Sequence, residues 1–284
     1  MNTLVISEPT LVTGNSSSEI KESLTFLRDF IKSGNSLIYL TNRPSDCISP
    51  VGGTILGNGE VSFDYCAQEK IDKGLNILLR DEDVTIINEL IDYSYAVFGN
   101  GALIFDELDR IIYEKYLDPY VVKEVAKLLA KNGYEDNPNP IFMDLAKLSY
   151  IKYYKSNIGV LDKEDGSGIY GLQAYSPSDM RKSTEVNGAL RQVIESSNLG
   201  LRCWTLNNMP CIYNEKALKE HALKWLIENK QIDVDKMHII VGDITDLEIA
   251  THYADLTYAV TKDPYQFNGL KKETSIARAL EKVQ

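Results

Sequence analysis

Short apolar runs that alternate with amphipathic helical patterns constrain the fold of this chain more than any other feature. Thr3–Ser7, Leu37–Leu40, Ser94–Phe98 and His238–Val241 read as buried strands, and helical spacing of apolar residues follows several of them. Strands that alternate with helices in this way indicate a parallel sheet covered by helices. The sequence therefore predicts an α/β fold.

The pattern changes between residues 118 and 207, where an amphipathic helix, Val121–Lys131, is followed by strand-like segments. These segments are Ser149–Tyr154, Gly168–Ala174 and Leu201–Leu206. Strands of the buried core type resume afterwards. We therefore predict an α+β cap domain, residues 118–207, inserted into a core domain made of residues 1–117 and 208–284.

The composition narrows the range of partners. The chain has 284 residues, of which 44% are hydrophobic, and a net charge of −11. This charge disfavours nucleic acid or an anionic membrane surface as the main partner. No apolar run approaches the roughly 20 residues of a membrane helix, and the first strand lacks the positive charge of a signal peptide. Four scattered cysteines lack metal-ligand spacing, so we expect a reduced, cytoplasmic protein.

One strand ends in acidic residues, and this motif is the most informative about chemistry. His238–Val241 stops at Gly242-Asp243, and a second carboxylate, Asp246, follows three residues later. Ligands of parallel sheets bind at the carboxyl ends of the strands. Two acids there suggest a divalent cation and phosphate chemistry. The alternatives are a helix N-cap for Asp243 and, for Asp246, an acid that the helix dipole favours.

Four segments, by their order and spacing, resemble the haloacid dehalogenase (HAD) superfamily, in particular its Cof-type and sucrose-phosphate-phosphatase branch with a large inserted cap. The segments are Leu40-Thr41-Asn42-Arg43-Pro44, Phe98-Gly99-Asn100-Gly101-Ala102-Leu103-Ile104, Lys219 with Ala222-Leu223-Lys224, and Gly242-Asp243-Ile244-Thr245-Asp246. The resemblance covers nearly the whole chain. It implies a Rossmann-like core with a cap, and a Mg²⁺-dependent phosphatase whose substrate is a sugar phosphate or related small metabolite bound between them.

The resemblance also implies roles for particular residues. In the family, an aspartate at the end of the first strand attacks phosphorus, and a second aspartate acts as acid and base. Mg²⁺ bridges the nucleophile, the phosphate and the fourth-motif acid. In this chain, Thr41, Asn42 and Lys219 would hold the phosphate oxygens. Glu8 would bind the metal ion together with the two acids of the fourth motif, Asp243 and Asp246.

The first motif departs from the family pattern, because Ile6-Ser7-Glu8-Pro9-Thr10-Leu11 contains neither aspartate. One alignment puts Glu8 nearest the nucleophile position. A second aligns Thr10-Leu11 with the family's Thr-Leu, which leaves Ile6 at the nucleophile position and Glu8 as the acid and base. Glu8 and Thr10 are the catalytic candidates. The fourth-motif acids lie three residues apart, where this branch usually has four.

Three functions stay open at this point. The first is a phosphatase in which Glu8 replaces the aspartate nucleophile or assists a water molecule. The second is a catalytically silent protein that keeps the fold for binding, regulation or assembly with a partner. The third is recruitment to other chemistry, with new roles for Ser7, Glu8 and Thr10. Loss of both aspartates favours the second function, a catalytically silent protein. Retention of Thr41, Lys219 and Asp243 favours a site that still binds an anion or a metal ion. Resemblance of fold alone does not decide between these functions.

Overall fold

The computed structural model describes residues 1–12, 17–42, 53–55, 61–63, 94–108, 110–134, 150–155, 168–175, 191–206, 209–261 and 267–283. The described strands, in chain order, are β1 (Thr3–Ser7), β2 (Ser36–Leu40), β3 (Gly53–Ile55), β4 (Val61–Phe63), β5 (Ser94–Phe98), β6 (Leu103–Phe105), β7 (Ile111–Glu114), β8 (Tyr150–Lys155), β9 (Ile169–Tyr175), β10 (Leu201–Leu206), β11 (Met209–Asn214), β12 (Met237–Val241), β13 (Thr257–Val260) and β14 (Lys271–Glu273). The α-helices are α1 (Glu8–Val12), α2 (Ser17–Lys32), α3 (Pro119–Lys131), α4 (Lys219–Lys230), α5 (Leu247–His252) and α6 (Ile276–Glu281). Arg43 and Pro44 of the second motif lie outside the described residues.

The larger sheet has eight strands in the order β14-β13-β12-β1-β2-β5-β6-β7. The strands from β14 to β5 pair in parallel, whereas β6 and β7 form an antiparallel hairpin at one edge. The predicted α/β class with a mostly parallel sheet is confirmed. The first strand lies between β12 and β2, so the carboxyl ends of all three meet at one edge.

Side chains of β1 alternate between two hydrophobic layers, as the two-residue repeat of a strand requires. Leu4 and Ile6 pack in the layer formed with α2 and α6. Val5 packs in the opposite layer, which includes Ala222 and Leu226 of α4. By the same alternation, Ser7 faces the side of the sheet on which α4 lies.

The smaller sheet has four antiparallel strands in the order β10-β11-β9-β8. Its apolar face shares a core with Val122, Val125 and Leu129 of α3. Asp118 begins this helix by accepting a hydrogen bond from the backbone N–H of Tyr120. The division of the chain at 207/208 stays a prediction, but β11 lies beyond residue 207 and pairs within this smaller sheet.

No helix in the described part of the chain is both long and apolar enough to cross a membrane.

Candidate functional site

Polar side chains converge where the central strands of the larger sheet end. Ser7 is the last residue of β1, Thr41 follows β2, and Asp246 ends the 3-10 turn after β12. Lys219 is the first residue of α4. Ser7, Thr41 and Asp246 are 0% exposed and Lys219 is 3% exposed. Polar groups are costly to bury unless they are paired, so their partners define the site.

Lys219 bridges two of these residues. Its Nζ lies 2.7 Å from Oδ1 of Asp246 and 3.2 Å from Oγ of Ser7. The Ser7 hydroxyl in turn donates a hydrogen bond to the same Asp246 oxygen over 2.9 Å. The structure therefore contains a closed, buried triangle of an ammonium, a carboxylate and a hydroxyl.

Glu8 and Thr41 form a second buried pair, in which the Thr41 hydroxyl donates to Oε2 of Glu8. Asn42 extends the cluster, because its side-chain amide donates to the hydroxyl of Thr245 over 3.1 Å. Thr10 is also buried, in the short helix α1, and packs beside Gly242. A Cβ at Gly242 would lie 3.0 Å from the Thr10 methyl group, so glycine permits this close approach.

Asp243 stabilises a turn of its own backbone. Its Oδ1 accepts a hydrogen bond from the N–H of Thr245 over 2.9 Å, and its carbonyl oxygen accepts one from the N–H of Asp246 over 3.0 Å. The capping role that the sequence offered as an alternative therefore describes Asp243 in this structure. By shaping the turn, Asp243 positions Asp246.

A left-handed turn joins the Thr41 loop to the start of α4. Gly99, Asn100 and Gly101 all have positive φ, and Asn100 is buried. The backbone N–H of Asn100 donates to the carbonyl of Thr41, and its side-chain amide donates to the carbonyl of Ala217, each over 3.2 Å. A Cβ on Gly101 would overlap the carbonyl of Leu218, so this turn sits directly against the residue before Lys219.

The smaller sheet covers this site. The hydroxyl of Tyr213 on β11 donates to the carbonyl of Asn42 over 3.3 Å. Tyr170 and Tyr213, both buried, share a hydrophobic cluster with Phe98 and Ala102 of the larger sheet. Tyr170 therefore packs between the two sheets.

Known proteins resemble this chain in structure but not in sequence. No protein-family model matches the chain, and no curated protein matches it in sequence. Among solved structures, a protein from Plasmodium vivax described as a HAD/COF-like hydrolase is 14% identical, with a TM-score of 0.65 over 100% of this chain and 95% of its own. A haloacid dehalogenase-like hydrolase from Bacteroides thetaiotaomicron is 15% identical, with a TM-score of 0.63 over 100% and 99%. A HAD subclass IIB sugar phosphatase is 13% identical, with a TM-score of 0.57 over 98% and 95%.

The chain has the haloacid dehalogenase fold. The resemblance seen in the sequence is confirmed at this level. At these identities, the comparison concerns the fold, and the chemistry has to be argued from the site.

The predicted metal ligands do not come together in this HAD-fold site. Among the residues that the structure describes, no three His, Cys, Asp or Glu side chains are arranged to hold a metal ion. Glu8 accepts from Thr41, Asp243 caps its own turn, and Asp246 is paired with Lys219. Oδ2 of Asp246 is buried and has no hydrogen-bond partner within the described ranges. An ion bound through Asp246 would have to displace the buried ammonium of Lys219, so the residues present do not fit the family's metal site.

The residue beside Lys219 at the end of β1 is Ser7, which neither alignment of the first motif placed at the nucleophile position. Ile6 lies in the hydrophobic layer on the other face of the sheet. Glu8 lies one residue further on and accepts a hydrogen bond from Thr41. Of the functions that the sequence left open, only recruitment to other chemistry gave Ser7 a role. The signal for it is its place as the last residue of the apolar run.

Proposed function

We propose that this chain binds a small phosphorylated metabolite, of the sugar phosphate class, at the strand ends beneath the smaller sheet, and does not hydrolyse it through an aspartyl-phosphate. The observation that carries this proposal is the neutral hydroxyl of Ser7 beside Lys219. A serine there supplies no carboxylate to attack phosphorus. The neighbouring carboxylate, Asp246, already accepts hydrogen bonds from the Lys219 ammonium and from that hydroxyl.

Two groups support phosphate binding. A lysine ammonium has three N–H donors, and within the described ranges those of Lys219 contact Ser7 and Asp246. One donor direction is left for a ligand oxygen. The hydroxyl of Thr41 lies at the end of the adjacent strand and can donate to a phosphate if the ligand displaces its bond to Glu8. The occurrence of a sugar phosphatase among proteins of this fold supports the ligand class.

The second candidate is hydrolysis of a phosphate monoester with Glu8 as nucleophile or base. It is favoured by one observation, the direct hydrogen bond between Thr41 and the buried carboxylate of Glu8. In this scheme, the oxygen attacking phosphorus would come from Glu8 or from a water that Glu8 orients. Glutamate is one methylene longer than aspartate, and a misplacement of about 1 Å costs roughly a hundredfold in rate.

Calorimetric titration with glucose 6-phosphate and with glucose, alongside a phosphate-release assay on the same preparations, tests the proposal. We expect binding of the phosphorylated sugar alone and no release of phosphate. Lys219→Met should weaken binding by about ten- to a hundredfold, since a charge-assisted hydrogen bond contributes roughly 1.5–3 kcal/mol. Lys216→Met, a change at an exposed lysine nearby, is the matched control.

The assay separates the two candidates. Phosphate release that Glu8→Gln abolishes would establish hydrolysis and overturn the binding-only proposal. Absence of binding for a panel of phosphorylated sugars, from a protein with a cooperative melting transition, would overturn both. A cytoplasmic location stays a prediction from the cysteine pattern.

A further inference from the structure

We infer that Lys219 takes the place of the divalent cation in this site, so that the site holds its shape and binds its ligand without metal. The part of this inference that concerns ligand binding rests on the proposed function. The part that concerns metal rests on the geometry of Lys219 alone.

The first support is the position of the ammonium. In the family scheme a metal ion bridges the residue at the end of the first strand and the fourth-motif acid. Here the Nζ of Lys219 bridges those two places, 3.2 Å from Ser7 Oγ and 2.7 Å from Asp246 Oδ1. All three residues are buried, so the positive charge is held there and is not shared with solvent.

The second support is the charge of the ligand set. A hydroxyl at Ser7 removes one negative ligand, and a lysine already neutralises Asp246. The carboxylates of Glu8 and Asp243 are turned towards Thr41 and the N–H of Thr245. A divalent cation would have to displace a buried ammonium to gain Asp246.

The third support is the fixed backbone of Lys219. A Cβ on Gly101 would lie 2.8 Å from the backbone nitrogen of Lys219. The side chain of Asn100 also donates to the carbonyl of Ala217, two residues before Lys219. A lysine in the first turn of a helix is opposed by the helix dipole, so helix stability does not explain its position. The turn instead holds this cation against Asp246.

The test is the melting temperature of metal-stripped protein with and without Mg²⁺, together with direct calorimetric titration of Mg²⁺ alone. We expect no shift and no binding heat for the wild-type chain. Lys219→Ala empties the position of the ammonium beside Asp246, so this variant should gain a Mg²⁺-dependent rise in melting temperature. Adding Asp246→Asn to it should remove the gain, and Lys216→Ala, the control at an exposed lysine, should behave as wild type.

A wild-type shift with Mg²⁺ that Asp243→Asn or Asp246→Asn abolishes would overturn the inference. A folded Lys219→Ala protein that is indifferent to Mg²⁺ would overturn it as well. If Lys219→Ala fails to fold, the wild-type titration still decides. Failure of the proposed function gives a different result, because the protein would then bind no glucose 6-phosphate, whether Mg²⁺ or a chelator is present. Equal affinity in both conditions is the result that we expect.

Discussion

The side-chain amide of Asn100 donates a hydrogen bond to the carbonyl oxygen of Ala217, although the two residues are 117 positions apart in the chain. The backbone of Asn100 also donates to the carbonyl of Thr41. One left-handed residue thus ties the end of β2 to the segment that begins α4. Through these two bonds, Asn100 helps to fix where Thr41 lies relative to Lys219.

Asn100→Gly should lower the free energy of unfolding by about 1–3 kcal/mol, because it leaves the carbonyl of Ala217 without its donor while glycine still accepts the positive φ. Urea denaturation measures this change. Asn198→Gly is the matched control, since Asn198 has the same left-handed backbone but is exposed. Equal effects at the two positions would show that the Ala217 bond contributes nothing.

Gly101→Ala and Gly34→Ala should differ sharply, although both residues have positive φ. At Gly34 nothing lies within 4 Å of the added methyl, so only backbone strain of about 1–2 kcal/mol is expected. At Gly101 the methyl would overlap the backbone of Leu218, and the cost should exceed that of Gly34→Ala by about 2 kcal/mol or more. Melting temperatures of the two variants compare these costs, and similar values would contradict the close approach.

Lys219→Met and Asp246→Asn should each destabilise the protein by about 3–5 kcal/mol, because each leaves a buried group without its partner. The double variant should cost less than the sum of the two, since neither group is then left unpaired. A double-mutant cycle in urea gives the coupling energy. Replacing both members of the exposed pair Arg191 and Glu195 should leave the unfolding midpoint unchanged.

Stability should depend on pH through Asp106, in the loop between β6 and β7. The hydrogen bond from the Arg110 side chain, aided by the backbone N–H groups of Arg110 and Leu108, holds the pKa of Asp106 below its usual value. A lowered pKa stabilises the fold fully above the ordinary aspartate value of about 3.9, and this contribution is lost as pH falls through the folded pKa. The difference in unfolding free energy between wild type and Asp106→Asn should be constant above about pH 4 and shrink below it. A difference that does not vary with pH would contradict this assignment.

Binding of a sugar phosphate should tighten as pH falls below about 6. At the described strand ends, the carboxylates of Glu8, Asp243 and Asp246 partly offset the attraction of the Lys219 ammonium for a dianion. A phosphate monoester becomes a monoanion near pH 6, which reduces its repulsion by these carboxylates. Calorimetric titration across this range measures the change. A methylated phosphate diester, monoanionic at every pH used, is the control ligand and should show a weaker dependence.

Much of the larger sheet could be predicted because its strands are buried on both faces and end at recognisable turns. Leu37–Leu40 and Ser94–Phe98 are examples of such apolar runs. The sequence does not predict strand β11. Pro210 lies within it, and proline is rare inside sheets because it has no backbone N–H to donate. In the structure Pro210 is paired with Thr205 of β10, next to the last pair of this hairpin, Leu206 and Met209.

The site could be located from the sequence but its contacts could not. Lys219, Asp246 and Thr41 were identified by type and spacing, and all three lie at the strand ends. The partner of Asp246 depends on where α4 packs, which no local pattern encodes. The role of Ser7 could not be assigned for a related reason, because only the contact with Lys219 distinguishes it from any other hydroxyl at the end of a strand.

Tyr170 and Tyr213 belong to the smaller sheet yet are buried in a cluster with residues of the larger one. Lifting the smaller sheet away from the strand ends would expose both rings, at about 1.5–3 kcal/mol for each. At the lower end of that range, the closed arrangement outnumbers the open one by about a hundredfold. A ligand that enters only through the open arrangement therefore associates about a hundredfold more slowly than a permanently open site would allow, and loosening this aromatic seam should raise the association rate without touching the site.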